Sequence, residues 1–156
     1  MKDLIKITRQ ILDERYPDAD VIFLAGSLLR GEGMPYSDLD PVVIFEKLPC
    51  AWRESFNFQG YPVEAFVHDP ETLNYFLFEP SRSSRPPATA RMVFEGVEVP
   101  GPSEISRSLK RIAADIIASG PPELGDEDER RLRYTITNLI DDIKREASPD
   151  CRKPLS

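Results

Sequence analysis

Apolar positions along the chain change period several times, and each change marks an element. Leu4, Ile7, Ile11 and Leu12, with Thr8 among them, fall on one face at helical spacing, and the run should stop before Pro17. "VIFLA", Val21 to Ala25, is short, apolar on both faces and closed by Gly26, the pattern of a fully buried strand. A second strand is predicted over Leu39 to Phe45. Two more, around Ser55 to Phe58 and Tyr61 to His68, are separated only by Gln59 and Gly60 and read as a hairpin. In "DPETLNYFLF", Asp69 is placed to cap a helix of about two turns with Pro70 at its first position. "EPSRSSRPPATA" reads as a loop and "RMVFEGVEVPGP" as an edge hairpin.

Beyond Pro102 the texture turns helical. Ile105, Leu109, Ile112 and Ile116 form one stripe, and Leu132, Ile136, Leu139, Ile140 and Ile143 form another, with "SGPPELG" breaking between them and Asp126 and Glu129 marking a capped start. The pattern predicts an α/β body over residues 1–102 and a helical C-terminal segment over 103–156, packed on that body or on a partner. No internal repeat is visible.

Composition narrows the class. A chain of 156 residues with 40% hydrophobic content supports one core of ordinary size. A formal net charge of −7 repels polyanions, which argues against generic nucleic-acid binding and leaves a small nucleotide carried by Mg²⁺ compatible. No stretch approaches the roughly 20 apolar residues of a membrane span, and the N-terminus lacks the apolar region of a secretory signal, so a cytoplasmic protein is expected. Cys50 and Cys151 have neither CxxC nor Cys/His spacing, which indicates no disulfide framework and no zinc site.

The candidate chemistry lies in "LAGSLLRGEGMPYSDLDPVVIF", residues Leu24 to Phe45. Gly26 lets the backbone turn sharply out of the first strand, and Ser27 is placed to cap a short helix whose N–H groups would converge on a phosphate. Asp38 and Asp40 stand two residues apart at the entrance of the next strand, so they share a face. Two carboxylates that close repel unless one takes a proton or both find a cation, and Mg²⁺ suits hard oxygen ligands.

Gly26-Ser27, ten intervening residues including Arg30-Gly31 and Ser37, then Asp38-x-Asp40 and an apolar strand resemble the signature of the nucleotidyltransferase fold of the DNA polymerase beta superfamily. The spacing is similar to that of minimal nucleotidyltransferases and aminoglycoside adenylyltransferases. The resemblance implies a mixed sheet flanked by helices, ATP as donor, a two-metal Mg²⁺ site, and transfer of a nucleoside monophosphate to a hydroxyl of a small molecule or protein. Under it, Gly26, Ser27, Arg30 and Ser37 are the nucleotide-binding candidates, Ser27 holding the terminal phosphates, and Asp38 and Asp40 hold metal.

It also calls for a third acidic residue on a neighbouring strand. "VEAFV" supplies Glu64, which alternation sets on the face opposite Val63, Ala65 and Val67; Glu95 and Glu98 are weaker rivals in a strand interrupted by Gly96 and Pro100. Glu64 is thus the third metal ligand and a candidate proton acceptor. Arg30, Arg82 and Arg85 are further phosphate partners, each with a solvated surface role as its alternative, and His68 reads as structural or exposed.

Pro41 departs from the family pattern, where an apolar residue with a free N–H is usual. Two other readings stay open on sequence: an antitoxin-type minimal nucleotidyltransferase that modifies a partner toxin, and a degenerate relative that binds nucleotide without turnover. The helical stripes add a second copy or a helical protein as candidate partners.

Overall fold

The computed structural model describes residues 2–29, 31, 37–78, 88–120 and 125–146. Elements follow in the order α1 (Lys2–Arg15), β1 (Val21–Ala25), β2 (Asp40–Ile44), β3 (Trp52–Phe58), β4 (Tyr61–His68), α2 (Pro70–Phe78), α3 (Ala88–Glu95), β5 (Val97–Val99), α4 (Glu104–Ser119) and α5 (Asp126–Glu146). The strands form one mixed sheet in the order β3-β4-β2-β1-β5. β1 runs antiparallel to both β2 and β5, β3 antiparallel to β4, and β2 parallel to β4.

Alternation along the strands divides the core in two. On one face Ile22, Leu24, Val43, Val63, Ala65 and Val67 meet Ile7, Ile11 and Leu12 of α1 and Tyr16 just after it. On the other, Val21, Phe23, Val42 and Ile44 meet Leu73 and Leu77 of α2, Ala90 and Val93 of α3, and Leu109 and Ala113 of α4. Every residue of β1 is buried, as its unbroken apolar run required. The helical stripe at Ile105, Ile112 and Ile116 also packs against this second cluster.

Polar groups fix the ends of the elements. Tyr16 donates its hydroxyl to Glu54 at 2.8 Å and Arg15 donates to the same carboxylate at 2.9 Å, which ties the end of α1 to β3. Asp69, buried, accepts from the N–H groups of Thr72 at 2.8 Å and Leu48 at 2.9 Å; it caps α2 and anchors the loop after β2. Burial alone would raise its carboxyl, but those N–H donors and Lys47 hold it below the usual aspartate range. Ser103 caps α4 in a reciprocal capping box with Ser106 and donates its hydroxyl to Asp20, at the entrance of β1.

The expected edge hairpin over residues 91–102 does not form. Residues 88–95 are helix α3, which takes in the last three residues of the expected loop, and β5 alone remains as a strand, pairing with β1. Gly96 and Pro100 had suggested hairpin punctuation, yet Ala90 and Val93 recur at helical spacing and bury completely. Gly96 is the pivot between helix and strand. A Cβ built there would lie 2.4 Å from the Met92 carbonyl oxygen and 3.0 Å from the Phe23 Cβ, so no larger residue fits without displacing α3.

The sheet and the helices through α4 lie in a compact unit, residues 1–121, and α5 belongs to a second unit, residues 122–156. Taken by itself, α5 is a 21-residue amphipathic helix with Leu132, Ile136, Leu139 and Ile140 along it, all exposed. Among the described residues, no helix is long and apolar enough to cross a membrane.

Gly96→Ala is expected to destabilise the protein by about 1–3 kcal/mol through overpacking. Gly101→Ala, where an added Cβ meets nothing within 4 Å, is expected to change little. Urea unfolding midpoints of the two variants check this, and equal midpoints would mean that α3 does not press on Gly96.

Candidate active site

The acidic residues are brought together by the β2–β4 register. Leu39 pairs with Val63 in an isolated bridge, and the ladder resumes at Val42 opposite Phe66. The same register places Asp40 beside Glu64. Neighbouring strands lie about 4.8 Å apart, so side chains at one register position are close neighbours. Leu39 and Val63 are buried in the cluster under α1, and alternation therefore turns Asp40 and Glu64 to the opposite face.

Pro41 lies in the gap of this ladder. Leu39 donates its N–H to the Pro62 carbonyl and accepts from the Glu64 N–H, both at 2.9 Å, so the polar backbone groups of residue 39 point at β4. Those of residue 41 do the same, and those of residue 40 point at β1. The N–H that proline lacks is thus missing from the β4 side, while Asp40 keeps its register with Ala25 of β1. Central strand and proline are reconciled because the parallel ladder is interrupted at this one place.

The surroundings shift Asp40 toward its protonated form. Burial raises its carboxyl above the usual aspartate range, the charges of Glu64 and Asp38 raise it further, and Arg53 opposes them. Asp38 is exposed, just outside the strand. Glu64 is half-buried and faces Arg53 of β3, whose Nε donates to Oε1 at 2.9 Å and whose Nη2 donates to the same oxygen. Among the described residues no group of three or more histidine, cysteine, aspartate or glutamate side chains is placed to hold a metal ion. In chemical type the three carboxylates are the hard oxygen donors a divalent cation prefers, and Asp40 feels the charge of both others.

Beside Asp40 opens a cleft of about 580 Å³ lined by Ala25, Gly26, Ser27, Asp40, Ala88, Arg91, Met92 and Glu95. Gly26 has a φ of +103°, and a Cβ there would lie 3.1 Å from Asp40 Oδ2. Both the turn and the close approach require glycine. Among the described residues the short helix expected after Ser27 is not present; residues 27–29 form a turn, which Leu28 and Leu29 anchor by packing on the cluster under α1. Ser27 therefore reaches the cleft from a turn and not as a helix cap.

Ser37 is described as half-buried coil next to Asp38 and does not line the cleft. Arg30, Arg82, Arg85 and Cys151 lie outside the described residues. His68 is buried at the far end of β4 against the Phe76 ring, 5.5 Å between centroids, and its burial lowers its pKa. Glu98 accepts from Ser106 and pairs with Lys110 at 3.3 Å, away from the acidic site.

Arg91 was missed because its segment read as a hairpin, and Glu95, weighed as a rival third carboxylate, lines the cleft from a helix and not from a strand. The available signal was the spacing of Ala88, Arg91, Met92 and Glu95, which share one face of a helix.

Residues 5–81 match the nucleotidyltransferase domain family. The match spans α1 through α2 and contains Gly26, Ser27, Asp38, Asp40 and Glu64. The fold of this chain is similar to that of a crystal structure of a nucleotidyltransferase-like protein from Exiguobacterium sibiricum 255-15, with a TM-score of 0.52 and 16% identity. The likeness covers 71% of this chain and 38% of that one, so the chain spans well under half of its neighbour's length. None of the curated proteins compared with it matches in sequence.

Asp40 generates a pH dependence with a definite sign. Its raised pKa means that the folded protein holds this proton more tightly than the unfolded chain. The associated stability is fully present below the ordinary aspartate value, about 3.9, and is lost as pH rises through the higher folded value. In chelator at neutral pH, Asp40→Asn is therefore expected to melt above the parent, and the advantage should shrink as pH falls to about 4. Thermal melts across that range check it; a variant less stable at neutral pH would show that ionised Asp40 is not under strain.

Proposed function

We propose that this cleft performs Mg²⁺-dependent nucleotidyl transfer, moving AMP from ATP to a hydroxyl of a small molecule or a protein. The observation that carries the reading is the placing of Asp40 beside Glu64 on one sheet face, at the lip of a cleft whose wall is Gly26-Ser27 and α3. Asp38, Asp40 and Glu64 would hold the metal. Bound there, divalent ions would neutralise phosphate charge and favour the ionised form of the attacking hydroxyl.

The chain's own residues supply the rest. Gly26, with no side chain, lets the backbone come close to phosphate oxygens, and the Ser27 hydroxyl donates to them. Arg91 faces the same cleft from α3 and offers a planar guanidinium, a group that pairs well with phosphate. Glu64 has an oxygen available to accept the proton of the attacking hydroxyl once a substrate lies within hydrogen-bond reach. Met92 gives α3 an apolar surface that helps to exclude water.

The alternative of a degenerate, non-catalytic relative rested on Pro41. Its missing N–H falls in a local gap of the β2–β4 ladder and leaves the pairing of Asp40 with β1 in place, which favours an active site. Leu132, Ile136, Leu139 and Ile140 along α5 would suit a second copy or a helical protein as partner.

With Mg²⁺ and ATP present, pyrophosphate release and an AMP-modified acceptor are expected, and chelator should abolish both. Asp40→Asn should lower transfer about a thousandfold or more. Glu64→Gln should cut transfer steeply while leaving the fold and most ATP affinity intact. Parental transfer rates in these two variants would refute the assignment.

Arg91→Ala is expected to weaken ATP binding about tenfold or more, the scale of one lost charge-assisted contact. Isothermal titration with Mg²⁺ and ATP measures it. Unchanged affinity would remove α3 from the nucleotide site.

A further inference from the structure

The carboxylate assigned to the metal already has a cation. Arg53 stands opposite Phe66 in the β3–β4 ladder, one diagonal step from Glu64, which faces Ser55. Its Nε and Nη2 both donate to Oε1 of Glu64. The second carboxylate oxygen, Oε2, accepts none of the hydrogen bonds found among the described residues. The guanidinium carbon also lies 5.1 Å from the centre of the Phe66 ring.

These contacts have a common consequence. The β2–β4 register forces Glu64 against Asp40, and the repulsion must be relieved by a proton or by a positive charge. An arginine cannot give up its proton, so Arg53 supplies a permanent charge on this face. A divalent cation on Glu64 would meet that same guanidinium at close range. The two positive partners repel each other and compete for one carboxylate.

We propose that Arg53 is a resident counter-ion which Glu64 exchanges for metal. Without metal, Arg53 balances the charge of Glu64 and holds it in place beside Asp40. When metal arrives at Oε2, Arg53 leaves Oε1. The side chain is free to do so, being 60% exposed, while Glu64 is only 27% exposed and stays on the sheet. Phe66 offers the released guanidinium a ring face to rest on. Arg53 is thus a positioning residue that acts through Glu64 and sets the metal affinity of the site. This inference rests on the reading of Asp38, Asp40 and Glu64 as the metal ligands.

An exposed ion pair is weak, so the exchange should cost the metal only a few-fold in affinity. The test uses the full chain without nucleotide and Mn²⁺ as the probe, with free Mn²⁺ followed by electron paramagnetic resonance. Arg53→Gln is expected to bind Mn²⁺ about 3- to 10-fold more tightly than the parent, and Arg53→Lys, which keeps the charge but not the fork, should fall between them. Glu64→Gln should weaken binding. In that background, adding Arg53→Gln should give a much smaller gain, only what its charge does at Asp40, because most of the effect passes through Glu64. In chelator, Arg53→Gln should melt below the parent, and Mn²⁺ should raise its melting temperature by more.

Parental or weaker Mn²⁺ affinity in Arg53→Gln would overturn the exchange. So would an equal gain in the Glu64→Gln background, which would make Arg53 a general surface charge. If the parent takes up no Mn²⁺, or Glu64→Gln binds it as the parent does, the metal-site reading itself falls; if both behave as expected and only Arg53→Gln fails, the exchange alone is lost.

Discussion

Two carboxylates are forced side by side by a strand register that they did not choose. The register is set on the other face of the sheet, where Leu39, Val43, Val63, Ala65 and Val67 pack in one buried cluster with α1. A slip of one residue would carry Glu64 into that cluster and bring Val63 or Ala65 out to the cleft side. Burying an unpaired carboxylate costs several kcal/mol. The apolar core therefore holds the acidic pair in a position that electrostatics alone would oppose.

The rest of the site follows from this constraint. Gly26 must lack a side chain because Asp40 Oδ2 occupies the space where a Cβ would press. Pro41 is tolerated in a central strand because the parallel ladder is already interrupted beside Glu64. Arg53 is placed on β3 by the hairpin, where it can relieve the charge that the register creates. On the opposite side Ala90 and Val93 seat α3 on the cluster around Phe23, and that seating turns Arg91 and Glu95 toward the cleft.

Much of this was legible from local signals. The unbroken apolar run of β1, the stop of α1 before Pro17, the Gln59-Gly60 hairpin and the Asp69 cap of α2 depend on residues near one another in the chain. Gln59 and Gly60 do adopt positive φ angles, 50° and 87°, as a tight hairpin demands. The two stripes after Pro102 are helices for the same reason, since helical periodicity is itself a local property. The segment around Glu64 read as a strand by alternation, another short-range rule, and it forms one beside β2.

What the sequence by itself determined, then, was the identity of most elements and the face on which each acidic residue lies. Only the tertiary structure decided that β2 and β4 are parallel neighbours, that Arg53 is the partner of Glu64, and that residues 88–95 are a helix closing the cleft. Gly96 and Pro100 carry the same local meaning in a hairpin as at a helix-to-strand junction. The choice between them was made by Phe23 and the Met92 carbonyl, which leave no room at Gly96 for a side chain. Periodicity and caps act over a few residues of chain, whereas register, charge pairing and the seating of a helix depend on packing between segments far apart in sequence.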